Sequence, residues 1–365
     1  MKKVGELLNT QVPKYDGTVY PERSVHYNDR VGVEIEFEHN HLYDQALHER
    51  VRNFWNWTDD GSLRDGGSEI VFRGPLSGED VSLALGVAEK ALNKCRFSHR
   101  TSVHVHVDIR DITAPSLYRY ILLYITLEEA LFGICGRQRE ANNFCMSAYS
   151  ANGLVELLSG INPSRVIASI LGMDTAHFRY AAVNIDAVRK FGSLEFRGHE
   201  GTCDKARILL WINLLLAMKH YAVRTRDIEE VITKASSDGP LQVIHECFTP
   251  DIGERLLEQP GIERMLADGA RRAQDVVHRR DTVEAHNQII AQLTGRAKRP
   301  VEHMEVDWDD VRALGEVVDE PAAVEARGGR VRVGIPPVAG QHVRGADYQA
   351  FLRAQELVRR ERGEF

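Results

Sequence analysis

Apolar and polar residues alternate with period two in VGVEIEFEH (31–39), SEIVFRG (68–74), SVHVHVDI (102–109), RYAAVNID (179–186) and SLEFRGH (193–199). That alternation predicts strands. Between them the period lengthens to three and four. A helix is predicted over about 78–94, with Ser77 as its cap, and Pro115 opens another that runs to about Cys135. Further helices are predicted at 151–159 and 204–226, and several amphipathic ones over 227–295. Turn residues fill TDDGSLRDGG (58–67) and KFG (190–192). Residues 1–29 are polar and turn-rich and read as a surface extension. Periodicity is lost after Gly295 and returns only in one charged helix over the last twenty residues. The predicted organisation is therefore an extension (1–29), a main domain (30–295) and a C-terminal tail (296–365).

Three of the strands carry unusual cargo. Glu34-Ile35-Glu36, His104-Val105-His106 and Glu195-Phe196-Arg197 each set two polar groups on one face with an apolar residue between them. An unpaired buried charge is costly, so that face calls for a cation, and a metal ion is the natural candidate. Glu34 and Glu36 are about 7 Å apart along their strand, which suits carboxylates serving two ions roughly 4 Å apart. Glu69 adds a fourth glutamate on another strand, and Asp108 follows His106 on the same side. A glutamate-rich set with one or two imidazoles is a hard donor set that favours Mg²⁺ or Mn²⁺ over Zn²⁺.

Composition narrows the field. Of 365 residues, 43% are hydrophobic and 27% charged, the balance of an ordinary folded protein, and the net charge of -7 argues against a broad nucleic-acid surface. The basic pairs Arg271-Arg272 and Arg279-Arg280 read as a solvated helix face. The longest apolar run, ILLWINLLLAM (208–218), is about half a membrane span and contains Asn213, so a buried helix is expected and no membrane partner. The opening MKKVGELLNTQVPKYDG lacks the apolar segment of a secretory signal. Five scattered cysteines without a CxxC pair suggest reduced thiols and a cytoplasmic setting, with Cys145 read as a buried filler. Neither GxxxxGK[ST] nor GxSxG is present, which excludes a P-loop and a nucleophile elbow.

The ordered series GVEIEF (32–37), DGSL (60–63), SEIVF-GPL (68–76), SVHVHVD (102–108), RYAAVN (179–184), LEFRGHEGT (194–202) and RILLWINLL (207–215) resembles the amidoligase family, relatives of glutamine synthetase and glutamate–cysteine ligase. The resemblance covers about 31–220 and extends toward 290; GPL at 74–76 departs from the Ser-Pro often found there. It implies an α+β fold, a glutamine synthetase-like curved antiparallel sheet forming an active-site funnel and backed by helices. It further implies an ATP-dependent ligase that joins a small-molecule or peptide carboxylate to an amine, with ATP and Mg²⁺ (or Mn²⁺) as cofactors, in a tailoring or modification pathway. By similarity Glu36 and Glu69 hold one metal, and Glu34, His104 and Glu195 hold the other. His106 sits beside the phosphates, Arg179 and Arg197 steady the γ-phosphoryl group, and Asn184, Arg139 and Asp60 contact nucleotide or substrate. Asp60 is also the carboxylate suggested to take the amine proton. Two other readings stay open: a zinc-dependent hydrolase using the His104/His106 pair, and a catalytically silent binding protein of the same fold. By the same resemblance, the amine can belong to a modified nucleobase.

Overall fold

Alternation of β-branched residues with polar ones builds a half-buried sheet, and the computed structural model shows six antiparallel strands. It describes residues 1–11, 29–38, 51–59, 63–64, 67–140, 142, 145–173, 178, 180–237 and 239–293. The strands are β1 (Val31–Phe37), β2 (Trp55–Asp59), β3 (Ser68–Phe72), β4 (Ser102–Asp108), β5 (Val183–Asn184) and β6 (Ser193–Glu200). Their order across the sheet is β2-β3-β1-β4-β6-β5. The expected α+β architecture, an antiparallel sheet backed by helices, is what forms.

One face is apolar. Val31, Val33, Ile35 and Phe37 of β1, Val103, Val105 and Val107 of β4, and Leu194 and Phe196 of β6 are all buried. Helices cover them. Phe196 packs against Tyr120 and Tyr124 of α3 (Ala114–Cys135) at 5.5 and 5.2 Å between ring centroids, and against Trp211 of α7 (Lys205–Arg224) at 6.5 Å. Tyr120 Oη donates to the Leu215 carbonyl at 2.9 Å, which fixes α3 against α7. On the other flank Trp55 Nε1 donates to Ala84 in α2 (Glu79–Leu92) at 3.0 Å. Helix α7 is long and apolar enough to cross a membrane, but it is mostly buried within the protein.

The β4–β6 pairing contains a bulge. Val105 faces Phe196, whereas Val103 faces His199, so two steps on β4 match three on β6. His199 is thereby turned onto the apolar side beside Trp211 and is fully buried, and burial pushes its imidazole down to about 4. Ser193, Glu195 and Arg197 keep to the other face.

Several expectations are corrected. Residues 179–186 yield only the two-residue strand β5, and the chain then winds into α6 (Asp186–Phe191). The KFG stretch is the end of that helix: Gly192, at φ 68°, caps it with its N–H bonded to Val188. The helix at Glu79 is capped by Gly78 rather than Ser77. Helix α4 (Asn152–Gly160) forms close to where it was expected, whereas strand β2 and the short helix α5 (Val166–Gly172) were not anticipated. The N-terminal residues are not merely superficial. Helix α1 (Val4–Leu7) buries Val4 completely, and Val4 N donates to the Ile112 carbonyl at 2.8 Å. Asp29 is buried as well. It meets His220 Nε2 at 3.0 Å and Lys219 Nζ at 3.5 Å, while Lys219 also reaches Asp111 at 2.8 Å. The tail after 295 lies outside the described residues.

From 228 onward the remaining helices are α8 (Ile228–Ser236), α9 (Gln242–Cys247), α10 (Pro250–Leu257) and α11 (Ile262–Leu293). On α11 all four arginines of the basic pairs meet carboxylates: Arg271 pairs with Asp268, Arg272 with Glu129, Arg279 with Asp275, and Arg280 with Glu229 and Asp281. That pairing neutralises the patch.

Helix α3 also steadies the edge of the sheet. Glu128, fully buried, accepts the Ala148 N–H at 2.7 Å, and nearby Met146 exchanges main-chain bonds with Tyr180 and Ala182 just before β5. Burial raises the Glu128 carboxyl to about 8 from an ordinary 4.5. The folded protein therefore holds a proton that the unfolded chain releases, and stability falls as pH rises from about 4.5 to about 8. Glu128→Gln keeps the acceptor but cannot ionise. It is expected to raise the urea midpoint at about pH 9 and leave it little changed at about pH 5. Equal midpoint shifts at the two pH values would contradict this.

Candidate active site

The second face of the sheet is polar because the same parity that sends valines inward sends charged residues outward. Register then sets partners. Glu34 stands opposite His104, Glu36 opposite Glu69, His106 opposite Glu195, and Asn184 opposite Glu195 on the far side. Gly32, opposite His106, matters by its size: a Cβ there would lie 3.2 Å from that of His106.

The side chains form one connected network. Glu34 bonds His104 Nδ1 through Oε2 at 2.9 Å and His106 Nε2 through Oε1 at 3.2 Å. His104 Nε2 meets Ser102 Oγ at 2.7 Å, and Ser102 Oγ donates to Glu36 Oε2 at 2.5 Å. Asn184 Nδ2 donates to Glu195 Oε2 at 2.6 Å, and Arg197 Nη1 donates to Glu195 Oε1. His106 Nδ1 meets Ser193 Oγ at 3.2 Å. Glu36, His104 and Glu195 are buried, while Glu34, His106 and Arg197 keep partial exposure.

Electrostatics follow from this packing. Burial alone would raise the Glu34 carboxyl, but hydrogen bonds and charge from His104 and His106 outweigh it and hold the group well below the usual carboxylate range. Burial would lower His106, yet the bond to Glu34 and the charge of Glu195 raise it. Arg197 is likewise raised against the effect of burial, by Glu195, Glu36 and Glu34. The face is a basin of negative charge held in check by two imidazoles and one guanidinium.

Among the described residues, Glu34, His106 and Glu195 present ligand atoms that all lie within 4.8 Å of one another. Two carboxylates and one imidazole form an oxygen-rich set that suits Mg²⁺ or Mn²⁺. His104 lies differently from the role that the resemblance implies. Its ring nitrogens meet Glu34 and Ser102, and the three-residue ligand cluster contains His106 and not His104. Glu69 sits beside Glu36 on the neighbouring strand, half-buried.

Arg139 departs further. It is fully buried, and its Nη2 donates to the Arg197 carbonyl at 3.1 Å, so it supports β6 internally instead of reaching a nucleotide. Asp60 and Arg179 lie outside the described residues. The sequence reading missed Ser102, Ser193 and the Glu38–Arg96 pair. All but Arg96 share strand parity with the named site residues, which was the available signal.

Residues 87–219 match the family described as "Putative amidoligase enzyme". Over that stretch the chain is similar to the amidoligases. Among curated proteins, none matches. The amidoligase match includes His104, His106, Asn184, Glu195 and Arg197 but begins after Glu34, Glu36 and Glu69. Strand pairing joins those three glutamates to the matched stretch. The similarity supports a ligase-like, amide-forming function in general terms.

Proposed function

We propose that this protein is an ATP-dependent carboxylate–amine ligase working through an acyl phosphate. The observation that carries the proposal is the convergence of Glu34, Glu36, His104, His106, Glu195 and Arg197 on one face of adjacent strands. A carboxylate acylates poorly because oxide would have to leave. In the proposed reaction a substrate carboxylate oxygen attacks the γ-phosphorus of ATP and ADP departs with the electrons of the broken P–O bond. The amine nitrogen then attacks the acyl carbon, phosphate leaves, and the nitrogen loses a proton to a base.

The chain's residues divide this work. Glu34, His106 and Glu195 would hold a divalent cation, with Glu36 and Glu69 disposed for a second. Such a cation neutralises charge gathering on the phosphoryl oxygens. Arg197, oriented by Glu195 and kept protonated, directs its guanidinium charge at the same oxygens. Arg179 and Asp60 keep the roles that the resemblance implies, γ-phosphoryl stabiliser and proton acceptor. A hydrolase built on the His104/His106 pair is less well supported, because the ligand cluster joins His106 to two glutamates and does not include His104.

The test is a screen of carboxylate and amine pairs with Mg²⁺ and ATP. It is expected to release ADP and phosphate only when both partners are present, with a product lighter by one water than their sum. Tight zinc binding with ATP-independent hydrolysis would overturn the proposal in favour of the hydrolase.

A further inference from the structure

Beside the candidate site stands an aromatic ring that the network does not use. Phe191, the last residue of α6, is 65% exposed. Its ring meets His106 edge-on, 5.6 Å between centroids at 88°. A lone exposed phenylalanine needs no explanation in general. This one sits on backbone that is set from the following two residues. Gly192, at φ 68°, reverses the chain directly after it, and a Cβ at that glycine would lie 2.7 Å from Cγ and Cδ of Arg110. Arg110 is itself clamped onto Asp108 through Nε at 3.0 Å and Nη2 at 2.5 Å. Two residues further on, Ser193 meets His106. The backbone that carries the ring is therefore set, and the ring has an edge on the site's outermost imidazole and an open flank.

We infer that Phe191 is a stacking platform for the nucleobase of the nucleotide whose phosphates the Glu34–His106–Glu195 cluster serves. This rests on the ATP reading above. An aromatic side chain has few rotors to lose, and its exposed surface gains most by covering another flat ring. A phenyl ring offers no hydrogen bond, so the platform recognises a base as a π-face and tells one purine from another weakly.

The test compares wild type, Phe191→Ala and Phe191→Trp for binding of two magnesium complexes: a β,γ-imido ATP analogue and tripolyphosphate, which has no base. Phe191→Ala is expected to weaken the analogue about tenfold. Tripolyphosphate affinity should stay unchanged, and Phe191→Trp should restore analogue binding. Unchanged analogue affinity in Phe191→Ala would overturn the platform and leave the ligase reading standing. Equal losses for both ligands would also overturn it, since Phe191 would then act only by orienting His106. A wild type that binds tripolyphosphate but no analogue, or neither, would remove the ATP reading and the platform together.

Discussion

Glu34→Gln is expected to lower affinity for Mn²⁺ by on the order of a hundredfold or more, and to bring ATP consumption with saturating substrates close to background. The magnitude follows from the position. Loss of an outer-shell partner of a metal ligand already weakens binding by about ten- to a hundredfold, and Glu34 is placed to be a ligand itself. It also bonds both His104 and His106. The glutamine amide has one acceptor oxygen and one donor nitrogen, so it cannot satisfy two imidazole N–H groups and a cation together. Folding should survive because the exchange is isosteric and Glu34 retains 23% side-chain exposure. Mn²⁺ titration by electron paramagnetic resonance measures the effect separately from turnover. A variant with native Mn²⁺ affinity and native ATP consumption would remove Glu34 from the site.

The parts of this architecture that the sequence displays are those written in a strong local period. Strands β1, β4 and β6 alternate valine, isoleucine or phenylalanine with polar residues, and their polar parity names Glu34, His104, His106, Glu195 and Arg197 directly. Parity says which face a residue occupies, but it cannot say which neighbour it meets. The pairing of Glu34 with His104 and of His106 with Glu195 depends on register across strands about 70 and 89 positions apart in the chain, a tertiary property.

The bulge shows the same limit from the other side. Read by parity, His199 belongs with Glu195 and Arg197. One extra residue on β6 rotates it into the core beside Trp211. Arg139 shows a related limit: its polar stretch gives no sign that the fold closes over it and supplies a main-chain acceptor. Short elements escaped because five or six residues carry too little period, as with β2 and α6. Helix α3, by contrast, was delimited closely, since Pro115 and a long three-and-four pattern mark it; its cap is Thr113, whose Oγ1 accepts from Ser116 N at 3.4 Å.

The second large effect lies beneath the site. Lys219→Met is expected to destabilise the fold by about 3–5 kcal/mol, since it removes an ammonium that pairs with two buried carboxylates. Lys219, Asp29 and Asp111 are 2%, 5% and 3% exposed, so water cannot stand in for the missing cation. Burial would lower the ammonium, but Asp111 and Asp29 outweigh it and keep Lys219 above its ordinary range, charged in the folded state. Asp111 in turn is raised by burial, against the opposing charge of Lys219. Through Asp29 the cluster anchors the chain two residues ahead of β1, and β1 carries Glu34 and Glu36. The loss should therefore appear in the urea midpoint and in Mn²⁺ affinity together. Adding Asp111→Asn to Lys219→Met should recover part of the stability, because it removes one of the stranded charges. A single variant that loses less than about 1 kcal/mol, or a double variant no better than the single, would show that the cluster is not an anchor.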